Sequence, residues 1–148
     1  MTGTLHIAPR APEREPPTVA GAGTCVILGL GVTGLSCARH LAAQGHALLV
    51  LDSRSSPPAR DRLAKEVPAA VVQTATLDAE LPADTVCVVL SPGLSPELPL
   101  IDRARDRGLP VIGDIEIFAR EARRPIAAVT GSNGKSTVTT MLDRKSVV

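Results

Sequence analysis

The stretch Cys25-Val26-Ile27-Leu28-Gly29-Leu30-Gly31-Val32-Thr33-Gly34 decides the fold. Four apolar residues run without a break into a glycine-rich turn. The turn opens a segment in which Leu35, Ala38, Leu41 and Ala42 recur at helical spacing until Gly45 stops it. Strand, Gly-x-Gly-x-x-Gly turn and helix, in that order, form the context in which such glycines serve a phosphate site. Gly29 permits the tight turn, Gly31 lets the backbone approach a pyrophosphate, and Gly34 lets the helix pack closely on the strand. Amides at the helix start then face the negative charge. Asp52 stands 21 residues after Gly31, at the end of the next apolar run, where a carboxylate meets a ribose or a base.

Outward from this stretch the alternation continues. The helix spans residues 32–44, and residues 47–51 read as a strand. Residues 58–67 read as a short polar helix, 70–72 as a weak strand, and 86–90 as a strongly apolar strand closed by Ser91-Pro92-Gly93. A helix over 97–107 ends at Gly108, 110–112 form a strand, Asp114 caps a helix running to about Ala122, and 126–129 form the last strand. Such alternation predicts an α/β fold, a parallel sheet with helices on both faces. Strand 126–129 is expected to add to the edge of that sheet or to stay loosely packed. Residues 1–22 read as a flexible arm, because Pro9, Pro12, Pro16 and Pro17 interrupt any periodicity among alternating Arg and Glu.

A second loop follows the last strand: Thr130-Gly131-Ser132-Asn133-Gly134-Lys135-Ser136-Thr137. Gly134-Lys135-Ser136 matches the end of a Walker A loop. Val129 stands where its first glycine belongs, so the fit is to a shortened variant. The chemistry is that of an ATP site. Backbone amides along Gly131, Ser132, Asn133 and Gly134 cradle phosphates, Lys135 reaches the β and γ oxygens, and the Ser136 or Thr137 hydroxyl ligates Mg²⁺.

Composition excludes other classes. The net charge is +1, with one Phe and no Tyr or Trp, which leaves neither an electrostatic nucleic-acid surface nor a base-stacking platform. No apolar run reaches the roughly 18 residues of a membrane span, and the first residues lack the apolar core of a signal peptide. Cys25, Cys37 and Cys87 are scattered through apolar stretches and read as buried small hydrophobes in a reducing cytoplasm. His40 and His46 have no metal-ligating partner at useful spacing. Asp114 and Glu116 read as a cap with a first-turn acid. Arg103, Arg105 and Arg107 alternate with Asp102 and Asp106 and read as a solvated helix face.

Two phosphate loops about a hundred residues apart constrain the function together. A dehydrogenase using NAD(P) needs the first alone and gives no reason for Lys135. A stand-alone nucleotide-binding module is the other alternative. An enzyme that binds a nucleotide-linked substrate and consumes ATP needs both.

Gly29-Leu30-Gly31-Val32-Thr33-Gly34-Leu35-Ser36, Asp52-Ser53-Arg54, Ser91-Pro92-Gly93, Gly113-Asp114-Ile115-Glu116 and the run from Thr130 to Thr140, in this order, resemble the Mur ligase family over about residues 25–141. The resemblance implies a Rossmann-like domain over residues 23–124 that binds a UDP-muramoyl substrate. It also implies the start of a central ATP-binding domain over 125–142 and a tail foreign to the family over 143–148. The implied activity is that of the cytoplasmic, monomeric, ATP- and Mg²⁺-dependent ligase of peptidoglycan precursor synthesis that joins D-glutamate to UDP-N-acetylmuramoyl-L-alanine through an acyl phosphate, with neither nucleic acid nor membrane as partner. On that resemblance Val32 and Thr33 meet the diphosphate, Gly31 and Gly34 belong with them to the substrate-binding set, and Asp52, Ser53 and Arg54 hold the uracil and its surroundings. Ser91, Pro92 and Gly93 close the pocket. Lys135 is the catalytic cation, with Ser136 and Thr137 serving Mg²⁺. Family members have three domains and are roughly three times as long, so this chain is expected to be an N-terminal part and inactive as a ligase by itself.

Overall fold

The computed structural model describes residues 5–6, 23–122, 128–129 and 132–145. The chain divides into two compact units, Pro16–Arg120 and the pair of segments Met1–Glu15 and Glu121–Val148.

The larger unit holds a five-stranded sheet. Its elements are β2 (Thr24–Leu28), α1 (Val32–Ala43), β3 (Ala47–Asp52), α2 (Arg60–Glu66), β4 (Val71–Thr74), β5 (Thr85–Leu90), α3 (Pro99–Asp106), β6 (Val111–Ile112) and α4 (Asp114–Glu121). The strand order is β4-β3-β2-β5-β6, and every pairing is parallel. This is the Rossmann-like α/β sheet that the alternation predicts. The order reverses at β2, whose neighbours β3 and β5 lie on opposite sides. Such a reversal opens a crevice beyond the carboxyl ends of the strands.

The continuous apolar runs have a direct cause. All of β2 is buried, and its alternate residues face two different cores. Cys25 and Ile27 pack with Leu35, Ala38, Leu41 and Leu63 of α1 and α2, whereas Val26 and Leu28 pack with Leu100, Ile101 and Ala104 of α3. A strand covered on both faces has no side left for polar residues. All three cysteines are buried in the first of these cores, and the Cys25 and Cys87 sulfurs lie 3.2 Å apart across paired strands.

Some expectations change. Asp114 is the first residue of α4, while the Gly113 carbonyl accepts the Ile117 amide, so Gly113 holds the capping position. In the other unit, Leu5 and His6 form β1 and pair antiparallel with Ala128 and Val129 of β7. The described end of strand 126–129 therefore joins neither edge of the large sheet. Its carbonyl and amide groups are satisfied by a segment that the sequence assigned to the arm. Residues 126 and 127, and the rest of the arm up to residue 22, lie outside the described residues. Helix α5 (Lys135–Lys145) follows.

Candidate functional site

At the reversal point lies a cleft of about 270 Å³ lined by Gly31, Val32, Thr33, Asp52, Ser53, Arg54, Ser91, Pro92 and Gly93, together with Gly29, Leu77 and Leu94. Nine of the ten residues assigned to the substrate from sequence are therefore brought together, and Gly34 is the exception.

The three glycines answer to different demands. Gly29 has φ +94°, a left-handed conformation that other residues avoid, and an added Cβ would lie 2.8 Å from the Ser91 hydroxyl. Gly34 is buried in α1, where a Cβ would lie 1.9 Å from the Gly29 carbonyl oxygen, so it packs helix against turn and does not reach the cleft. Gly31 answers to neither demand. Its φ of −96° suits any residue, and a Cβ would meet no atom within 4 Å. Nothing in the chain itself requires glycine there, yet Gly31 lines the cleft.

Helix α1 begins beside Gly31 with no side-chain cap and no acid in its first turn. A helix of 12 residues thus presents its positive end and uncapped amides to the cleft. Val32, at the first helical position, is 86% exposed and lines the cleft.

Asp52 organises the cleft from beneath. Only 2% exposed, its carboxylate accepts the Leu30 amide at 2.7 Å, the Arg54 amide at 2.8 Å, and two Arg54 guanidinium hydrogen bonds at 2.9 and 2.7 Å. The Arg54 guanidinium above all, with the Leu30 and Arg54 amides, holds the carboxyl well below the usual carboxylate range against the opposing pull of burial. The pair fixes the glycine turn to the end of β3. Arg54 is half exposed and keeps part of its guanidinium towards solvent. Ser91 fixes the turn from the other side: its amide donates to the Leu28 carbonyl at 3.1 Å and its hydroxyl to the Gly29 carbonyl at 3.3 Å.

Leu77 and Leu94 are lining residues that sequence reasoning missed. Leu94 follows Ser91-Pro92-Gly93 directly, and its amide bonds the Ser91 carbonyl at 3.0 Å. Leu77 gives no sequence signal, since it lies in a connection without periodicity. It reaches the cleft because that connection folds back on β3. The Ala75 amide donates to the Arg54 carbonyl at 3.2 Å and the Thr76 amide to the Asp52 carbonyl at 3.1 Å. The arginine run is exposed, as a solvated face should be, but two of its members also reach the connection that carries Leu77. Arg103 pairs with Asp78 and donates to the Ala79 carbonyl, and Arg107 donates to the carbonyls of Leu81, Pro82 and Ala83.

The second loop belongs to the other unit. Gly131 lies outside the described residues. Ser132, Asn133, Gly134, Lys135, Ser136 and Thr137 are all exposed, Gly134 has φ +79°, and its carbonyl accepts the Val138 amide at 3.0 Å as α5 begins. No group of three or more His, Cys, Asp or Glu side chains gathers as a metal site among the described residues, and no described helix is long and apolar enough to cross a membrane.

Residues 23–113 match the Mur ligase MurD-like N-terminal domain. The UDP-N-acetylmuramoylalanine--D-glutamate ligase of Nitrosococcus oceani is 50% identical over 129 residues, covering 87% of this chain and 28% of that protein. The proteins of the same name from Acinetobacter baylyi and Pasteurella multocida are each 45% identical, over 80% and 78% of this chain and 26% of theirs. The chain spans about a quarter of the length of the curated relatives it matches. Among solved structures, SirC, a precorrin-2 dehydrogenase, aligns with 10% identity and a TM-score of 0.44 over 84% of this chain and 66% of its own, a likeness too distant to carry an argument. The match over residues 23–113 runs through the glycine turn, the Asp52 anchor and the Ser91 loop alike, and the chain belongs to the Mur ligase family as a MurD-like N-terminal domain.

Proposed function

We propose that the cleft seats the uridine diphosphate of a UDP-muramoyl substrate, and that the intact protein is the ligase that joins D-glutamate to UDP-N-acetylmuramoyl-L-alanine. The observation that carries the reading is Gly31, whose missing side chain serves no neighbour in the chain and keeps the uncapped start of α1 open to a ligand. A pyrophosphate fits that position, because backbone amides and the helix dipole favour negative charge there. The curated relatives carry the corresponding enzyme name.

On this reading Gly31, Val32 and Thr33 bind the diphosphate, Ser53 and Arg54 hold the nucleoside, and Ser91, Pro92 and Gly93 bound the far side. Asp52 acts mainly by holding the turn and Arg54 in place. In the second unit, Gly134 leaves open space where a Cβ would stand, directly before Lys135 at the start of α5. These residues fit a nucleotide phosphate. Ser132, Asn133 and Gly134 would supply amides and Lys135 a cation, while Ser136 and Thr137 provide only the hydroxyl part of a Mg²⁺ site. ATP would supply the phosphoryl group that activates the alanyl carboxylate. The cytoplasm is the compartment in which this substrate would be met, and a monomer is the state proposed for the intact enzyme.

Calorimetric titration of this chain with UDP and with NAD tests the reading. UDP should bind at least about tenfold more tightly, a difference of about 1.4 kcal/mol. Tighter binding of NAD would overturn it in favour of a dehydrogenase-type site.

A further inference from the structure

The strand order gives the cleft a direction. Gly31, Val32 and Thr33 follow β2 at its centre. Ser53 and Arg54 follow β3, one strand to one side, and Leu77 follows β4, one strand further. Leu77 thus reaches the cleft from the β4 side, on the far side of Ser53 and Arg54 from Ser91. A nucleoside extending from a diphosphate at α1 towards β4 brings its base to that side of the cleft. Ser91, Pro92 and Gly93 lie on the opposite side, after β5, where the remainder of a nucleotide-linked substrate leaves the cleft.

The segment that carries Leu77 makes several polar contacts with the rest of the unit. Ala75 has φ +61°, the one non-glycine residue with positive φ among the described residues, and this kink turns the chain back over Asp52 and Arg54. Such a conformation disfavours alanine by about 1–2 kcal/mol and persists only where its surroundings enforce it. The Thr76 hydroxyl bridges the Asp78 carbonyl at 2.8 Å and the Asp78 amide at 3.0 Å. From α3, Arg103 grips Asp78 and the Ala79 carbonyl, and Arg107 grips three further carbonyls. One arginine of α3 and one just past its end thus contact the connection on both sides of its centre, and Leu77 remains half-buried against the cleft.

We propose that Leu77 is the apolar wall against which the nucleotide base lies, and that Arg103 of α3 is a positioning residue that sets this wall through Asp78 and Ala79. The inference rests on the nucleotide reading of the cleft. It adds that base affinity depends on a helix that does not itself line the cleft, while phosphate affinity does not. An unrestrained Leu77 would lose contact with the base and leave the α1 amides unchanged.

The test is titration of the full chain with UDP and, separately, with inorganic pyrophosphate. Leu77→Ala should weaken UDP by about tenfold, as expected for loss of most of one apolar contact. Arg103→Ala should weaken UDP by about threefold, through a displaced wall. Both should leave pyrophosphate within about twofold of wild type. Leu77→Met keeps the apolar volume and should retain UDP affinity. Arg103→Lys, which keeps the cation for Asp78 but not the planar guanidinium that also meets the Ala79 carbonyl, should fall between wild type and Arg103→Ala. Wild-type UDP affinity in both alanine variants would overturn this inference and leave the nucleotide site standing. Equal losses for UDP and pyrophosphate would assign Arg103 a merely structural role and also overturn it. If wild type binds pyrophosphate and not UDP, the nucleotide reading itself falls, and the base wall with it.

Discussion

The Asp52 carboxylate accepts the Leu30 amide at 2.7 Å across 22 positions of sequence. That contact ties the last residue of one strand to the turn that leaves its neighbour, so the shape of the cleft is fixed by the sheet rather than by a ligand. Arg54 completes the arrangement by pairing with the same carboxylate.

Asp52→Asn should lower stability at neutral pH by about 1–3 kcal/mol, because the buried network loses its charge and one of its two acceptor oxygens, with an amide donor set against donors in its place. The folded-state pKa of Asp52 is depressed, chiefly by Arg54. Its stabilisation is therefore complete above the unfolded carboxyl value of about 4 and is lost as the pH falls below it. Urea unfolding of wild type and variant at pH 7 and pH 2.5 should give a gap that narrows in acid. An equal gap at both pH values would show that the charge contributes nothing.

The glycines should separate stability from binding. Gly34→Ala forces a Cβ to within 1.9 Å of a carbonyl oxygen and should destabilise by about 3 kcal/mol or more. Gly31→Ala should change stability by less than about 1 kcal/mol, since the backbone suits alanine while alanine is the poorer N-cap. It should still weaken UDP by about tenfold or more by narrowing the approach to the amides. Thermal melts read the first pair of effects and calorimetry the second. A Gly31→Ala variant that binds UDP normally would remove the main support for the phosphate position.

The thiols should be silent in the folded protein. Burial pushes Cys37 up to about 11, the hydrogen bond with the Cys87 sulfur and then burial raise Cys25, and Cys87, lowered by that same bond, is fully buried. A chromogenic disulfide reagent at pH 8 should find no fast-reacting thiol until denaturant is added, after which all three should react. Rapid labelling of the native protein would show that the sheet opens readily.

In the intact protein, Lys135→Ala should cost orders of magnitude in ligation rate, because phosphoryl transfer depends on positioning and charge neutralisation. Affinity for the UDP substrate should change little. Steady-state assays with parallel titrations check both, and a variant with near-normal ligation would remove Lys135 from the reaction.

The sheet was legible because a strand covered on both faces must be apolar throughout, and β2, β3 and β5 have no other way to be buried. The cleft was legible where glycine spacing and strand-end position carry it. Gly31, Asp52 and Ser91 are all placed by the ends of such strands. The role of Asp52 was only half legible: its position at the end of β3 can be read, but its capture by Leu30 and Arg54 depends on distances no spacing encodes. Leu77 was invisible because it enters the cleft through a kink at Ala75 and through clamps from α3, which are tertiary contacts in a stretch without periodicity. The same cause hid the work of Arg103 and Arg107. The pairing of Leu5 with Val129 joins the beginning of the chain to a segment more than a hundred residues later, and two residues of strand leave no pattern to read.

The central claim is that one cleft, beyond the carboxyl ends of β2, β3 and β5, receives a uridine diphosphate. Amide chemical shifts of the isotopically labelled chain, followed during titration with UDP, test it most directly. The account predicts saturable shifts concentrated at Leu30, Gly31, Val32 and Thr33, at Ser53 and Arg54, at Leu77, and at Ser91, Gly93 and Leu94. Saturable shifts centred on residues 132–137 instead, or none at the start of α1, would contradict it.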